Sequence, residues 1–197
     1  ATALWGDAPW VFWDESLRTG AIAHRILTAE GFTTRDVSAM TLGLLFRDLG
    51  WALVYRRLRS PGRQRVLEQH PSIAVSLLNA LSPIPRTTLA VIEEHHRLAQ
   101  TFVTPSRDRY PRGTSAGLFG AVVTRLIEIE TALIPSGVPG ANVRRLALDA
   151  LASELTTNSI ASQWSSIFQK VLAGTSARDR LLSPRRSRSI EQLTLHS

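Results

Sequence analysis

The chain has 197 residues, 44% of them hydrophobic and 20% charged, the balance of one folded domain rather than of a disordered or fibrous chain. It contains no cysteine, which excludes disulfide staples, thiolate nucleophiles and Cys-ligated zinc or iron–sulfur sites. The net charge of +7 is local: five arginines lie between Arg56 and Arg65 with no acid among them, five more follow Gly174 against Asp179 and Glu191, and the remainder is nearly neutral.

Residues 1–13 hold Trp5, Trp10, Phe12 and Trp13 among Gly6 and Pro9, and are expected to be a non-helical aromatic lead-in or a junction with an upstream domain. From there helical periodicity recurs and no alternating strand is found, so the fold class is all-α, a bundle of about seven helices over residues 14–173. Asp14 is read as the N-cap of a helix to about Glu30, with Leu17, Ala21, Ile22 and Ile26 inward and Gly31 closing it. Thr33 and Asp36 start a second helix whose apolar positions Val37, Met40, Leu44 and Leu45 lead to Asp48. After an arginine-rich loop with Pro61 and Gly62, a third helix places Val66, His70, Ile73, Leu77 and Leu81 on its inward stripe. Pro83 and Pro85 break the chain. A fourth helix follows with Leu89, Ile92, His96 and Ala99 on one stripe, and Val91 and His95 beside it. A loop over 101–114 precedes helical patterns from Leu118 to Leu133, Val143 to Leu155 and Ile160 to Leu172, and residues 174–197 are expected to be an Arg/Ser-rich flexible tail. No apolar run reaches the roughly 18 residues of a membrane span and no leader pattern is found. The expected compartment is the cytoplasm, and the chain, starting at Ala1, is read as a segment of a longer protein. No groove-reading motif accompanies the charge, so nucleic acid is not expected as a partner.

A single inward histidine is ordinarily a satisfied core residue. Here Asp48, His70, His95 and His96 come from three consecutive helices and face one interior, where each unpaired polar group would cost several kcal/mol. Imidazole and carboxylate together suit iron, manganese or zinc, and a dication there would bring a bound water toward hydroxide near neutral pH.

In that order of motifs the sequence resembles the HD-GYP family, the all-helical branch of the HD superfamily whose active members hydrolyse cyclic di-GMP at a polynuclear metal centre. The matching stretches are Leu44-Leu45-Phe46-Arg47-Asp48-Leu49-Gly50, His70-Pro71 with Leu77-Leu78, Val91-Ile92-Glu93-Glu94-His95-His96, and Arg109-Tyr110-Pro111-Arg112-Gly113, followed by a helix with Arg125 and Ile129. The resemblance spans about residues 14–172 and implies vestigial metal positions at Asp48, His70, His95 and His96, with a ligand-facing loop over Arg109 to Gly113.

The departures from the family pattern bear on chemistry. Arg47 stands where the family has the His of its His-Asp pair, and Arg97 where a Glu follows the paired histidines. A guanidinium offers no lone pair and stays charged, so both substitutions replace ligands with cations. Trp51 stands for a lysine and Thr131 for a carboxylate, leaving Glu130 and Glu15 as candidate substitutes. The resemblance therefore implies a degenerate HD-GYP signalling domain without strong catalysis. It would act through a signalling protein partner or an upstream sensor or receiver domain, with cyclic di-GMP as a candidate ligand. No cofactor is expected, or else one Fe, Mn or Zn at partial occupancy. Two alternatives stand beside it. One is a metal-dependent cyclic di-GMP phosphodiesterase with a reduced metal site. The other is a non-catalytic adaptor of the HDOD type, which the segment Phe12-Trp13-Asp14-Glu15-Ser16-Leu17-Arg18-Thr19 resembles.

Overall fold

Proline is favoured in the first turn of a helix, where its missing N–H costs nothing, and Pro9 opens helix α1 (Pro9–Ala29). The structure, a computed structural model, describes residues 9–54, 63–98, 115–136, 140–155, 164, 166–169 and 172. The helix therefore starts five residues before the expected Asp14, and residues 9–13 belong to it; Trp13 is 49% exposed instead of packed on the domain. α1 ends as expected at Gly31, which has φ 75°. Phe32 N–H donates to Leu27 O (3.0 Å) and Gly31 N–H to Thr28 O (3.1 Å), a Schellman motif that satisfies two orphan carbonyls. Thr33 then caps α2 (Thr34–Phe46), its side chain accepting from Asp36 N–H at 3.1 Å.

Further elements are α3 (Leu49–Val54), α4 (Arg63–Leu81), α5 (Arg86–Glu94), α6 (Ser115–Leu133), a 3₁₀ turn over Ile134–Ser136 and α7 (Gly140–Glu154). The described residues are thus an all-α bundle of seven helices with no strand, and no helix among them is long and apolar enough to cross a membrane. α3 is an addition to the expected pattern, six residues where a loop was read. The expected helix over 160–172 is described only at 164, 166–169 and 172, which are helical, with Trp164 and Phe168 buried in the main core. The segment 101–114, the tail 174–197 and residues 55–62 of the arginine-rich stretch lie outside the described residues.

α6 is the central element, buried around most of its circumference from Ala116 to Ile127, as an all-round apolar helix requires. α1, α2, α5 and α7 surround it in one core that includes Ile26, Met40, Leu44, Val91, Phe119, Leu126 and Leu148. α5 threads between α2 and α6 because both present glycine to Val91. A Cβ at Gly43 would sit 2.7 Å from Val91 Cβ, and one at Gly120 would sit 2.9 Å from Val91 Cγ1. This seating delivers the C-terminal end of α5, and the histidines after it, to the end of α2. A second, smaller core of Ala74, Leu78 and Ile92 holds α4 against α5.

Two expected stripes are turned. On α1, Leu17 is 44% exposed and Ala21 is exposed, while Ser16, Thr19, Ile22, Ala23, Ile26 and Leu27 face inward. Small polar residues take the buried face near Ser16 and Thr19 because a charged group lies opposite. On α4, His70, Pro71, Ala74 and Leu78 are buried, Ile73 and Leu77 are half-buried, and Leu81 at the helix end is 73% exposed. Among the described residues α4 packs mainly against α3 and α5, and its wider apolar stripe is not all covered.

At Gly50 of α3 an added Cβ would collide with the His70 carbonyl of α4. Backbone cannot step aside as a side-chain tip can. Gly50→Ala is expected to destabilise the domain by about 1–3 kcal/mol or more, read as a lowered urea midpoint with an unchanged slope.

Candidate functional site

The polar residues of the site sit at helix ends. α2 stops at Phe46, and Arg47 and Asp48 occupy the turn into α3; α5 stops at Glu94, and His95 and His96 lie in the turn that follows. Asp48, His95 and His96 are thus off the helical stripes on which the periodicity placed them, yet they still converge. One ligand-type atom from each of Asp48, His70, His95 and His96 lies within 4.8 Å of all the others. Asp48 Oδ1 is 3.3 Å from His70 Nε2 and 3.5 Å from His95 Nε2, and the two ring nitrogens are 3.3 Å apart. Trp51 of α3 stacks on His70 at a centroid distance of 4.4 Å, and the His95 and His96 rings are 3.9 Å apart.

Protonation follows from these contacts. His95 Nδ1–H donates to the Ile92 carbonyl at 2.7 Å, one of the carbonyls that the end of α5 leaves without a helical donor. Burial, assisted by the neighbouring His96 and opposed by Asp48, pushes the His95 pKa down to about 3. A neutral His95 bonded through Nδ1 presents a lone pair at Nε2, facing the Asp48 carboxylate and His70. Burial alone would raise the Asp48 pKa, but Arg47 and the hydrogen bond from His70 outweigh it and hold the carboxyl well below the usual range. A single His70 Nε2–H can serve only one of these acceptors well, so the three atoms frame a place for a cation.

Arg47 closes the other side. Its side chain is buried, with Nε donating to Asp48 Oδ2 (2.8 Å) and Nη1 to Thr19 Oγ1 (2.8 Å) and Thr124 Oγ1 (3.2 Å); Nη2 is 3.8 Å from Glu15 Oε2. Ser16 Oγ reaches Asp48 Oδ2 at 3.5 Å. The Glu15 pKa is raised by burial, with Arg47 opposing. The two carboxylate oxygens of Asp48 are therefore divided, Oδ1 to the imidazoles and Oδ2 to the guanidinium.

Of the other sequence candidates, Arg97 is exposed and pairs with Glu94 (3.2 Å), so the two expected cation replacements are not in one place. Glu130 is buried between Arg18 (3.1 Å) and Arg144, which engage both of its oxygens in tying α6 to α1 and α7. Thr131 is exposed. The α6 carboxylate nearest the histidines is Glu128, whose Oε1 lies 3.7 Å from His96 Nδ1. Arg109, Tyr110, Pro111, Arg112 and Gly113 lie outside the described residues. Sequence reasoning missed Glu128, Ser16, Thr19 and Thr124. The available signals were Thr124, which with Arg125 interrupts the otherwise apolar stretch Ala121–Ile127, and the Ser16/Thr19 pair at i, i+3 on the buried face of α1.

Two outcomes follow. Arg47→Met should destabilise by about 3–5 kcal/mol, because it strands the Asp48 carboxylate in the interior; urea unfolding measures it. For metal-free protein, His95 is depressed from 6.5 to about 3, so the unfolded chain binds the extra proton in that window and stability falls as pH drops through it. Protonation of Asp48 removes more stability below the ordinary carboxylate range. The urea midpoint of chelator-treated protein should decline from neutrality toward about pH 4, with a shallower slope in His95→Gln.

No family model, curated protein or solved structure matches the chain.

Proposed function

We propose that the chain is a degenerate HD-GYP-type signalling domain that holds a single divalent cation at Asp48, His70, His95 and His96 and does not hydrolyse cyclic di-GMP. Its output is interaction with a signalling partner or an adjoining sensor or receiver domain, with cyclic di-GMP as a candidate regulatory ligand. The ordered motifs of the sequence, and an all-α bundle that brings Asp48, His70, His95 and His96 together, support this reading.

The donor set fits one ion. A tetrahedral centre with bonds of about 2.0–2.1 Å has ligand–ligand edges of about 3.3–3.4 Å, and the Asp48, His70 and His95 atoms stand 3.3–3.5 Å apart. Three imidazoles and a carboxylate suit zinc, iron or manganese. Bound there, the ion would supply a fixed positive charge joining the α2–α3 turn, α4 and the turn after α5. His95 is pre-oriented by the Ile92 carbonyl, and Asp48 by Arg47. This differs from the sequence expectation of no resident cofactor, because the ligand atoms already converge.

The observation that carries the inactive reading is the burial of Arg47, whose Nε and Nη1 donate to Asp48, Thr19 and Thr124. A second ion would have to share this space with a permanent positive charge and would find no lone pair on it.

Elemental analysis of purified protein supplied with zinc, iron or manganese is expected to give about one ion per chain, with no linear product from cyclic di-GMP. Two or more ions per chain, with turnover abolished in His96→Ala, would establish the reduced-site phosphodiesterase instead. Failure to take up any of the three metals would overturn the cation site.

A further inference from the structure

Histidine ligands are set by what their second ring nitrogen bonds, since that partner selects the tautomer and holds the ring. His95 has the Ile92 carbonyl for this purpose. For His96 the counterpart comes from another helix. Glu128 of α6 points one oxygen, Oε1, at His96 Nδ1 (3.7 Å) and gives the other, Oε2, to Arg125 Nη1 (3.0 Å). Arg125 in turn grips Glu154 of α7 with both Nε and Nη2, each at 2.8 Å. Burial would raise the Glu128 pKa, but His96 and Arg125 together lower it, so the carboxylate is charged.

We propose that Glu128 is the positioning residue for His96 at the cation site, and that the Arg125–Glu154 clamp holds Glu128 in place, linking cation loading to the seating of α7. The inference rests on the one-cation reading above. The 3.7 Å contact is longer than a hydrogen bond, and for Glu128 to hold His96 on an ion it would have to shorten to one. The division of labour on Glu128 repeats that on Asp48, with one oxygen toward the imidazoles and one on an arginine. A simple α6–α7 tie would need only Arg125 and Glu154, whose fork is already bidentate. Glu128 adds the step from that tie to the histidines. Glu154 is not a ligand, so this link from α7 to the histidines can be interrupted there without touching one.

The test uses the full chain titrated with Co²⁺ and Zn²⁺ against a chromophoric chelator, in wild type, Glu128→Leu, Glu128→Gln and Glu154→Gln. Glu128→Leu is expected to weaken both ions by about 10–100-fold and to alter the visible Co²⁺ spectrum, while the chelated protein keeps its helix content. Glu128→Gln retains an acceptor oxygen and should fall between Leu and wild type; Glu154→Gln should weaken binding by a smaller factor and shrink the rise in Tm on Zn²⁺ addition. Wild type that takes up none of Zn²⁺, Co²⁺, Fe²⁺ and Mn²⁺ would overturn the one-cation reading and this inference together, and uptake of Fe²⁺ or Mn²⁺ alone moves the same comparison of variants to that ion. Wild type that binds while both Glu128 variants match it in affinity and spectrum would overturn only the positioning role. Should Glu128→Leu fail to fold, Glu128→Gln decides alone: weaker binding supports the role and equal binding ends it.

Discussion

Arg47 and Asp48 are neighbours in sequence, and both are withdrawn from water where α2 turns into α3. Taking a guanidinium and a carboxylate out of water costs several kcal/mol each, and their attraction offsets this only if the remaining donors and lone pairs also find partners. The surrounding helices supply those partners. α1 contributes Ser16, Thr19 and Glu15, and α6 contributes Thr124. The buried faces of two helices are therefore polar at one level, and the apolar core is arranged around that level.

A consequence is that Asp48 faces two chemistries at once. Toward Arg47 it is half of an ion pair; toward His70 and His95 it is one of several lone-pair bearers at ligand spacing. The first half is complete in itself. The second half is an assembly of acceptors in a desolvated place, where a neutral His95 and a charged carboxylate face each other. Such a place is stabilised by a proton or by a cation, and the three helix-end segments that meet there gain a common anchor from either.

Much of this could be read along the chain. The all-α class, the closing glycine at Gly31, the Thr33 cap and the set Asp48, His70, His95 and His96 were legible, because each depends on local periodicity or on residue chemistry. The errors have physical causes. Leu17 and Leu81 count as inward by spacing, yet both are exposed in the fold. Glu130 was named because it adjoins Thr131, where the family has a carboxylate; in the fold, Arg18 and Arg144 claim Glu130 and Glu128 lies by His96. Arg47 and Arg97 were treated alike, although one is enclosed by three helices and the other is an exposed side chain beside Glu94.

Residue types and their order determined the helical class, the punctuation between helices and which side chains are able to hold a proton or an ion. Those properties depend on bonds and periods within a few residues. Tertiary packing decided which of these side chains share a space: Val91 seated between Gly43 and Gly120 brings the end of α5 to Asp48, and the same α5–α6 contact brings Glu128 to His96. Such encounters join residues tens of positions apart, and they depend on how closely backbones approach, which no local pattern encodes.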